Sequence, residues 1–300
     1  MRTKTICILG GAGFVGQHLV RRLGAAGWQC RVPTRRPHRY PELKLIQHLS
    51  LVPVDRLDQA SLIEVLAGCD AVVNLVGILN EQGRTTFEGV HLELVRGLTA
   101  AAQAAAVPRL IQMSALNADA TGGSSAYLRS KGAGEDLAHQ AAGLQVTSLR
   151  PSVIFGRGDR FFNRFASLLE MAPGLFPLAC PDARFAPVWV GDVCEAISRA
   201  LREPSSIGRR YDLCGPRVFR LEELVEQTAR WIGKRCLLIR LNDRASRWQA
   251  QLFERLPGKP FTMDNYWSMQ TPSVCAEHDG LLELGIHPTD IETIVPTYLR

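Results

Sequence analysis

Apolar residues in the first half of the chain form short runs, separated by longer stretches in which they recur every three or four positions. Short runs bounded by turn residues read as buried strands, and the longer recurrence reads as amphipathic helix. Strands are therefore predicted at residues 5–9, 29–33, 51–54, 71–76, 110–113 and 145–149. Helices are predicted between them at 14–26, 59–67, 88–106 and 126–142. Alternation of this kind implies right-handed crossovers and a parallel sheet covered on both faces. The expected fold class is α/β, a Rossmann-type doubly wound parallel sheet.

The rhythm changes after residue 155. Residues 155–182 are rich in Gly, Pro and Phe with one helix at 161–171, a strand-helix unit returns at 187–201, and a strand is expected at 210–214. Beyond Gly215, helices alternate with short strands. The expected organisation is a dinucleotide-binding domain over 1–155, to which 185–214 returns. A small interleaved α+β lobe for substrate or partner is expected from 156–184 and 215–300.

The first strand-helix junction carries chemistry. Gly10, Gly13 and Gly16 form G-x-x-G-x-x-G directly after a strand and at the start of a helix. Glycine there permits a sharp turn and close backbone approach to a pyrophosphate, which rests on the free N–H groups of the helix N-terminus. Phe14 and Val15 belong to that loop-helix junction, so the segment is expected to hold a nicotinamide dinucleotide. At the end of the second strand stand Thr34, Arg35 and Arg36, with no acid nearby. An acid would select NAD through the ribose hydroxyls, whereas an Arg fork holds a 2′-phosphate. NADP(H) is the expected preference, with NAD(H) left open. Asp55 and Arg56 follow the third strand, where a carboxylate reaches the adenine amino group; Leu75, Val76 and Gly77 end the fourth.

Tyr127 and Lys131 form Y-x-x-x-K near the start of a predicted helix, a spacing that puts both side chains on one face. An ammonium beside a phenol favours the phenolate, so Lys131 is expected to lower the Tyr127 pKa and let it exchange a proton with a substrate oxygen. Ser114, at the end of the fifth strand, is a candidate to polarise that oxygen.

These features together resemble the short-chain dehydrogenase/reductase superfamily, in its extended or atypical branch. The resemblance covers nearly the whole length. It includes the glycine loop, the NLVG segment, the Ser114, Tyr127 and Lys131 set, and the run RPSVIFG with Pro151, Ser152 and Ile154, which is similar to the family's segment beside the nicotinamide. More narrowly, GGAGFVG, VPTRRP, RPSVIFGRGDRFFNRFA and YDLCGP resemble the nucleotide-binding accessory subunit of respiratory complex I and its bacterial relatives. That group is atypical: it implies bound NADPH and leaves turnover in question. Extended members carry an Asn supporting a proton relay and a kinked backbone where this chain has His91, so His91 is either a substitute relay or a packed residue. The expected activity is oxidoreduction or epimerisation of an unknown carbonyl or hydroxyl compound. The alternative is a non-catalytic, NADPH-holding structural, assembly or redox-sensing protein.

Composition narrows the classes further. The formal net charge is +6, yet residues 1–41 alone hold eight Lys or Arg and no acid. Without aromatic interleaving, that bias points to an anionic cofactor and excludes nucleic acid as the expected partner. Seven histidines show no ligand spacing, so no metal is expected. Eight scattered cysteines without C-x-x-C suit reduced, buried thiols in a cytoplasmic protein. No signal peptide and no membrane-spanning run are expected. Trp248, Leu252, Phe253 and Leu256 form an apolar stripe that either packs on its own lobe or meets a membrane surface or partner helix. Peripheral association with a membrane, at its inner face, or with a respiratory complex stays open, as does the oligomeric state.

Overall fold

The computed structural model describes residues 4–276 and 279–299; Arg2 of the basic N-terminal segment lies outside them. The chain opens with β1 (Thr5–Leu9), α1 (Phe14–Ala25), β2 (Gln29–Thr34), β3 (Leu49–Pro53) and α2 (Gln59–Leu66). Next come β4 (Ala71–Asn74), a π-helical turn (Glu88–Glu93), α3 (Leu94–Ala104), β5 (Arg109–Met113) and α4 (Ala126–Gln140). Then β6 (Gln145–Pro151), β7 (Ile154–Phe155), α5 (Phe162–Met171), β8 (Leu175–Leu178) and β9 (Arg184–Phe185) follow. The chain continues through β10 (Val188–Trp189), α6 (Val190–Arg202), β11 (Arg210–Leu213), β12 (Phe219–Arg220) and α7 (Leu221–Trp231). Later elements include β13 (Leu237–Arg240), α8 (Asp243–Phe253) and α9 (Met263–Ser268).

Seven strands form one parallel sheet in the order β11-β6-β5-β4-β1-β2-β3, the doubly wound arrangement expected. The alternation in β1 shows why both faces are covered. Ile6 and Ile8 join one core with Leu19 and Leu23 of α1 and Ile197 of α6. Cys7 and Leu9 point the other way, into a core with Leu62 of α2 and Leu98 of α3. Strand order reverses between β1 and β4, which opens a crevice at their carboxyl ends. The short strands β8, β9, β12 and β13 lie outside that sheet, β13 paired with β8 and β12 with β9, and Phe185 of β9 also bridges to Ser273.

The segment 259–276 runs back across the carboxyl edge of the sheet. Lys259 Nζ donates to the Glu81 carbonyl at 2.9 Å, and Asn117 Nδ2 donates to the Pro272 carbonyl at 2.9 Å. Ser152 Oγ donates to the Ser273 carbonyl at 2.8 Å. One expectation is corrected here. Cys214, just past β11, is disulfide-bonded to Cys275 of this strap; the other six cysteines are free thiols. A separation of 61 residues hides that pairing from sequence spacing, because connectivity depends on where the strap crosses.

Candidate active site

The glycine loop has the geometry its role requires. Gly10 adopts φ +78°, in the left-handed region, and a Cβ there would stand 3.2 Å from the Leu75 backbone, so β1 and β4 loops meet at van der Waals distance. At Gly16 a Cβ would stand 2.3 Å from the Gly10 carbonyl, so only glycine lets α1 approach its own loop. Gly13 is the N-cap of α1, and a Cβ there would meet only the Gly10 carbonyl at 3.1 Å. No side chain caps this N-terminus and no acid lies in its first turn. Its free N–H groups face a space open to a phosphate, so the residues present fit a dinucleotide.

Around that crevice the sequence-predicted residues divide. Arg35 and Arg36 are exposed just past β2, and neither guanidinium has a hydrogen-bond or ion-pair partner among the described residues. Thr34 Oγ1 lies 3.5 Å from the Arg36 amide. Asp55 and Arg56 line an open depression of about 620 Å³ between β3 and α2, together with Arg31, Val54 and Ser61. Pro151 ends β6, Ser152 follows it with its hydroxyl committed to Ser273, and Ile154 pairs with Val188.

Tyr127, Lys131, His91 and Gly77 converge. A Cβ at Gly77 would lie 3.6 Å from His91 Nε2 and 3.7 Å from Lys131 Nζ. Lys131 is buried, and its Nζ donates to the Met113 carbonyl at 2.6 Å. Burial lowers its pKa to about 8, with Glu135 one turn on acting in the opposite direction. Glu135 is itself clamped by Arg150 and Arg210. Tyr127 is half-buried, walled by the rings of Phe87 and His91 at 6.0 and 5.7 Å, and its hydroxyl has no hydrogen-bond partner among the described residues.

The expected lowering of the Tyr127 pKa by Lys131 is overturned. Burial, and then the Asp264 carboxylate, push the phenol up to about 12. Lys131 is not the determining neighbour, because its ammonium is turned to the Met113 carbonyl. Asp264, in the first turn of α9, accepts from the Ala126 and Tyr127 amides at 2.7 and 3.2 Å and so closes the N-terminus of α4. Sequence reading missed this residue. Its only local signal is the Thr262–Asn265 capping box that starts α9, which says nothing of α4.

His91 is a packed residue. The Ile78 amide donates to its Nε2 at 3.2 Å, and its Nδ1 lies 2.8 Å from Ser130 Oγ, whose hydroxyl donates to the Tyr127 carbonyl. Those partners require a neutral ring with the proton on Nδ1. Burial and the Lys131 ammonium lower its pKa to about 3, so it stays neutral. Its place in the π-helical turn supplies the kink, and Gly134 of α4 allows contact, since a Cβ there would stand 2.0 Å from the His91 carbonyl.

Ser114 is buried, with no partner at hydrogen-bond geometry, and the charged group it faces is Glu135. Asp159, in the loop after Gly156, accepts from the amides of Gly156, Phe161 and Asn163 and so anchors the start of α5. No cluster of His, Cys, Asp or Glu suited to a metal occurs among the described residues.

Known proteins share this architecture. The model of the NAD dependent epimerase/dehydratase family matches residues 6–214. The mouse protein named NADH dehydrogenase [ubiquinone] 1 alpha subcomplex subunit 9, mitochondrial, is 30% identical over 292 residues, covering 95% of this chain and 77% of that protein. A ceramide reductase of Caulobacter vibrioides is 31% identical over 199 residues, 66% of this chain and 61% of its own. Among solved structures, an NADPH-dependent quinone oxidoreductase of Escherichia coli complexed with NADPH superposes with a TM-score of 0.77 at 19% identity, covering 98% of this chain and 99% of that one.

Proposed function

The chain belongs to the NAD dependent epimerase/dehydratase family, whose members are NAD(P)-dependent enzymes of oxidoreductase type, and from that premise we propose that it is an NADP(H)-dependent reductase of a carbonyl compound. The observation that carries this reading is that Lys131 and Gly77 meet at His91, whose ring packs on Tyr127, beside the crevice between β1 and β4. When bound, the nicotinamide supplies hydride. Tyr127, with a pKa of about 12, is a protonated phenol at neutral pH and therefore a donor to a developing alkoxide. Lys131, with a pKa of about 8, is largely charged there and keeps two N–H donors beyond the Met113 carbonyl for the nicotinamide ribose. Arg35 and Arg36, without partners among the described residues, hold the 2′-phosphate. Asp55 meets the adenine amino group. Pro151, Ser152 and Ile154 line the nicotinamide end, and Ser114 is the weakest member of the set because it faces Glu135.

A second reading, a non-catalytic NADPH-holding subunit, is favoured by one observation. The strap over 259–276 is tied to both sides of the edge above Tyr127 and by the Cys214–Cys275 bond, which restricts entry to the substrate side. The mouse relative's name, that of a subunit of an NADH dehydrogenase, adds association with such a complex to that reading. No helix among the described residues is long and apolar enough to cross one. We also keep the division into 1–155 with 185–214, and 156–184 with 215–300. Its support is that β11 lies in the main sheet while β8, β9, β12 and β13 do not.

A carbonyl-substrate screen following NADPH absorbance separates the two readings. Tyr127→Phe is expected to abolish turnover with NADPH affinity nearly unchanged, whereas Lys131→Ala damages both. If no carbonyl compound turns over while NADPH survives purification in the site, the non-catalytic reading replaces the first.

A further inference from the structure

The C-terminal lobe carries an outer surface that its own core does not use. Helix α8 turns Ser246 and Ala250 inward. Arg244, Trp248 and Leu252 are exposed, and their four-residue spacing aligns them along the opposite side; Arg255, also exposed, stands in the turn just past the helix. Trp248 is 66% exposed. Beside this helix lies the two-stranded β8–β13 sheet, joined to it where Gln249 Nε2 donates to the Pro177 carbonyl at 3.2 Å. That sheet buries Phe176 and Leu238 against the lobe core, while Leu175, Leu237 and Ile239, on its other face, are exposed, Leu237 by 65%.

Charge accompanies the apolar surface. Residues 230–260 contain eight Lys or Arg and two acids, Asp243 and Glu254. Asp243 is taken up by Arg247, and Arg240 is held by Glu222 and Asp182. Arg244 and Arg255 have no ion-pair partner among the described residues. An exposed Trp and Leu between unpaired guanidiniums is the pattern of a helix lying in a membrane interface, with apolar groups at the acyl boundary and cations on anionic headgroups.

We propose that α8, with the neighbouring outer face of β8 and β13, is a docking surface for an anionic phospholipid bilayer. Charge complementarity selects this occupant: a neutral apolar partner would leave Arg244 and Arg255 desolvated without counter-charge. Docking there does not depend on turnover at Tyr127.

Co-sedimentation of the full chain with vesicles of phosphatidylcholine, alone or mixed with phosphatidylglycerol, tests it. Binding is expected only with the anionic lipid and should weaken as salt is raised. The paired substitutions Trp248→Ser with Leu252→Ser, and separately Arg244→Gln with Arg255→Gln, should each weaken binding by roughly tenfold or more. All four residues are exposed, so melting temperature and NADPH affinity should stay unchanged in both variants. Equal binding to neutral and anionic vesicles overturns the proposal. So does undiminished binding by either variant, or failure of the unmodified chain to sediment with the anionic vesicles; in that last case the surface is one for a protein partner.

Discussion

His91 shows how one side chain sets a pH response. Its imidazole is neutral in the folded protein because burial and Lys131 lower its pKa from 6.5 to about 3. Between those values the unfolded chain binds one more proton than the folded one. The stability contribution is therefore complete above pH 6.5 and is lost as pH falls through the window, by up to about 1.4 kcal/mol per pH unit. Thermal or urea unfolding from pH 7 to 4 should show this slope, and His91→Asn should reduce it by one proton; a variant with the same slope would show that other groups carry it. Arg35 and Arg36 set a different property. With both guanidiniums free beside the end of β2, NADPH is expected to bind at least about tenfold tighter than NADH, about 1.4 kcal/mol. Replacing both with Ala should remove most of that difference and leave NADH affinity nearly as it was. Equal affinities in the unmodified protein would end the 2′-phosphate assignment.

At the scale of elements, α1 and its loop form the dinucleotide cradle. Gly13 is its N-cap, with a Cβ position 3.1 Å from the Gly10 carbonyl and no other neighbour, so Gly13→Val should crowd the loop and project a side chain into the pyrophosphate position. Calorimetric titration is expected to find no dinucleotide binding, while circular dichroism reports an intact fold. Normal titration would place the cofactor elsewhere. This element was legible from local pattern: β1 occupies Thr5–Leu9 as predicted, and α1 begins at Phe14. The predicted helix over 88–106 shows where legibility ends. Apolar recurrence there is helical, but the first six residues form a π-helical turn, a wider winding that hardly disturbs local spacing. Its stability comes from contacts with α4, through Gly134 and Ser130, about forty positions away.

For the whole molecule, the strap over 259–276 ties the late chain to the edge of the sheet near Tyr127. The Cys214–Cys275 bond and hydrogen bonds to Asn117, Ser152 and the amides of Ala126 and Tyr127 hold it in place. Alkylation of the non-reduced, denatured protein should therefore label six cysteines, and all eight only after reduction. Closing a loop of this size stabilises a fold by typically ~2–4 kcal/mol, so Cys214→Ser with Cys275→Ser should lower the melting temperature by several degrees. Eight labelled cysteines before reduction would show that the strap is held by hydrogen bonds alone.

What the amino-acid order determined by itself is what depends on near neighbours. Apolar spacing set the strands and helices, alternation set the parallel sheet, and the glycines at 10, 13 and 16 set a phosphate cradle, because each is a matter of residues a few positions apart. The placement of Tyr127 and Lys131 on one face of α4 was likewise local. Only the tertiary structure decided their protonation. Burial, and then Asp264 reaching it across 137 positions, raise the Tyr127 pKa, where sequence alone had Lys131 lowering it. His91 became a neutral packing residue through Ile78 and Ser130, and Cys214 found Cys275. Burial and electrostatics depend on which distant segments the fold brings together, and spacing along the chain carries no record of that.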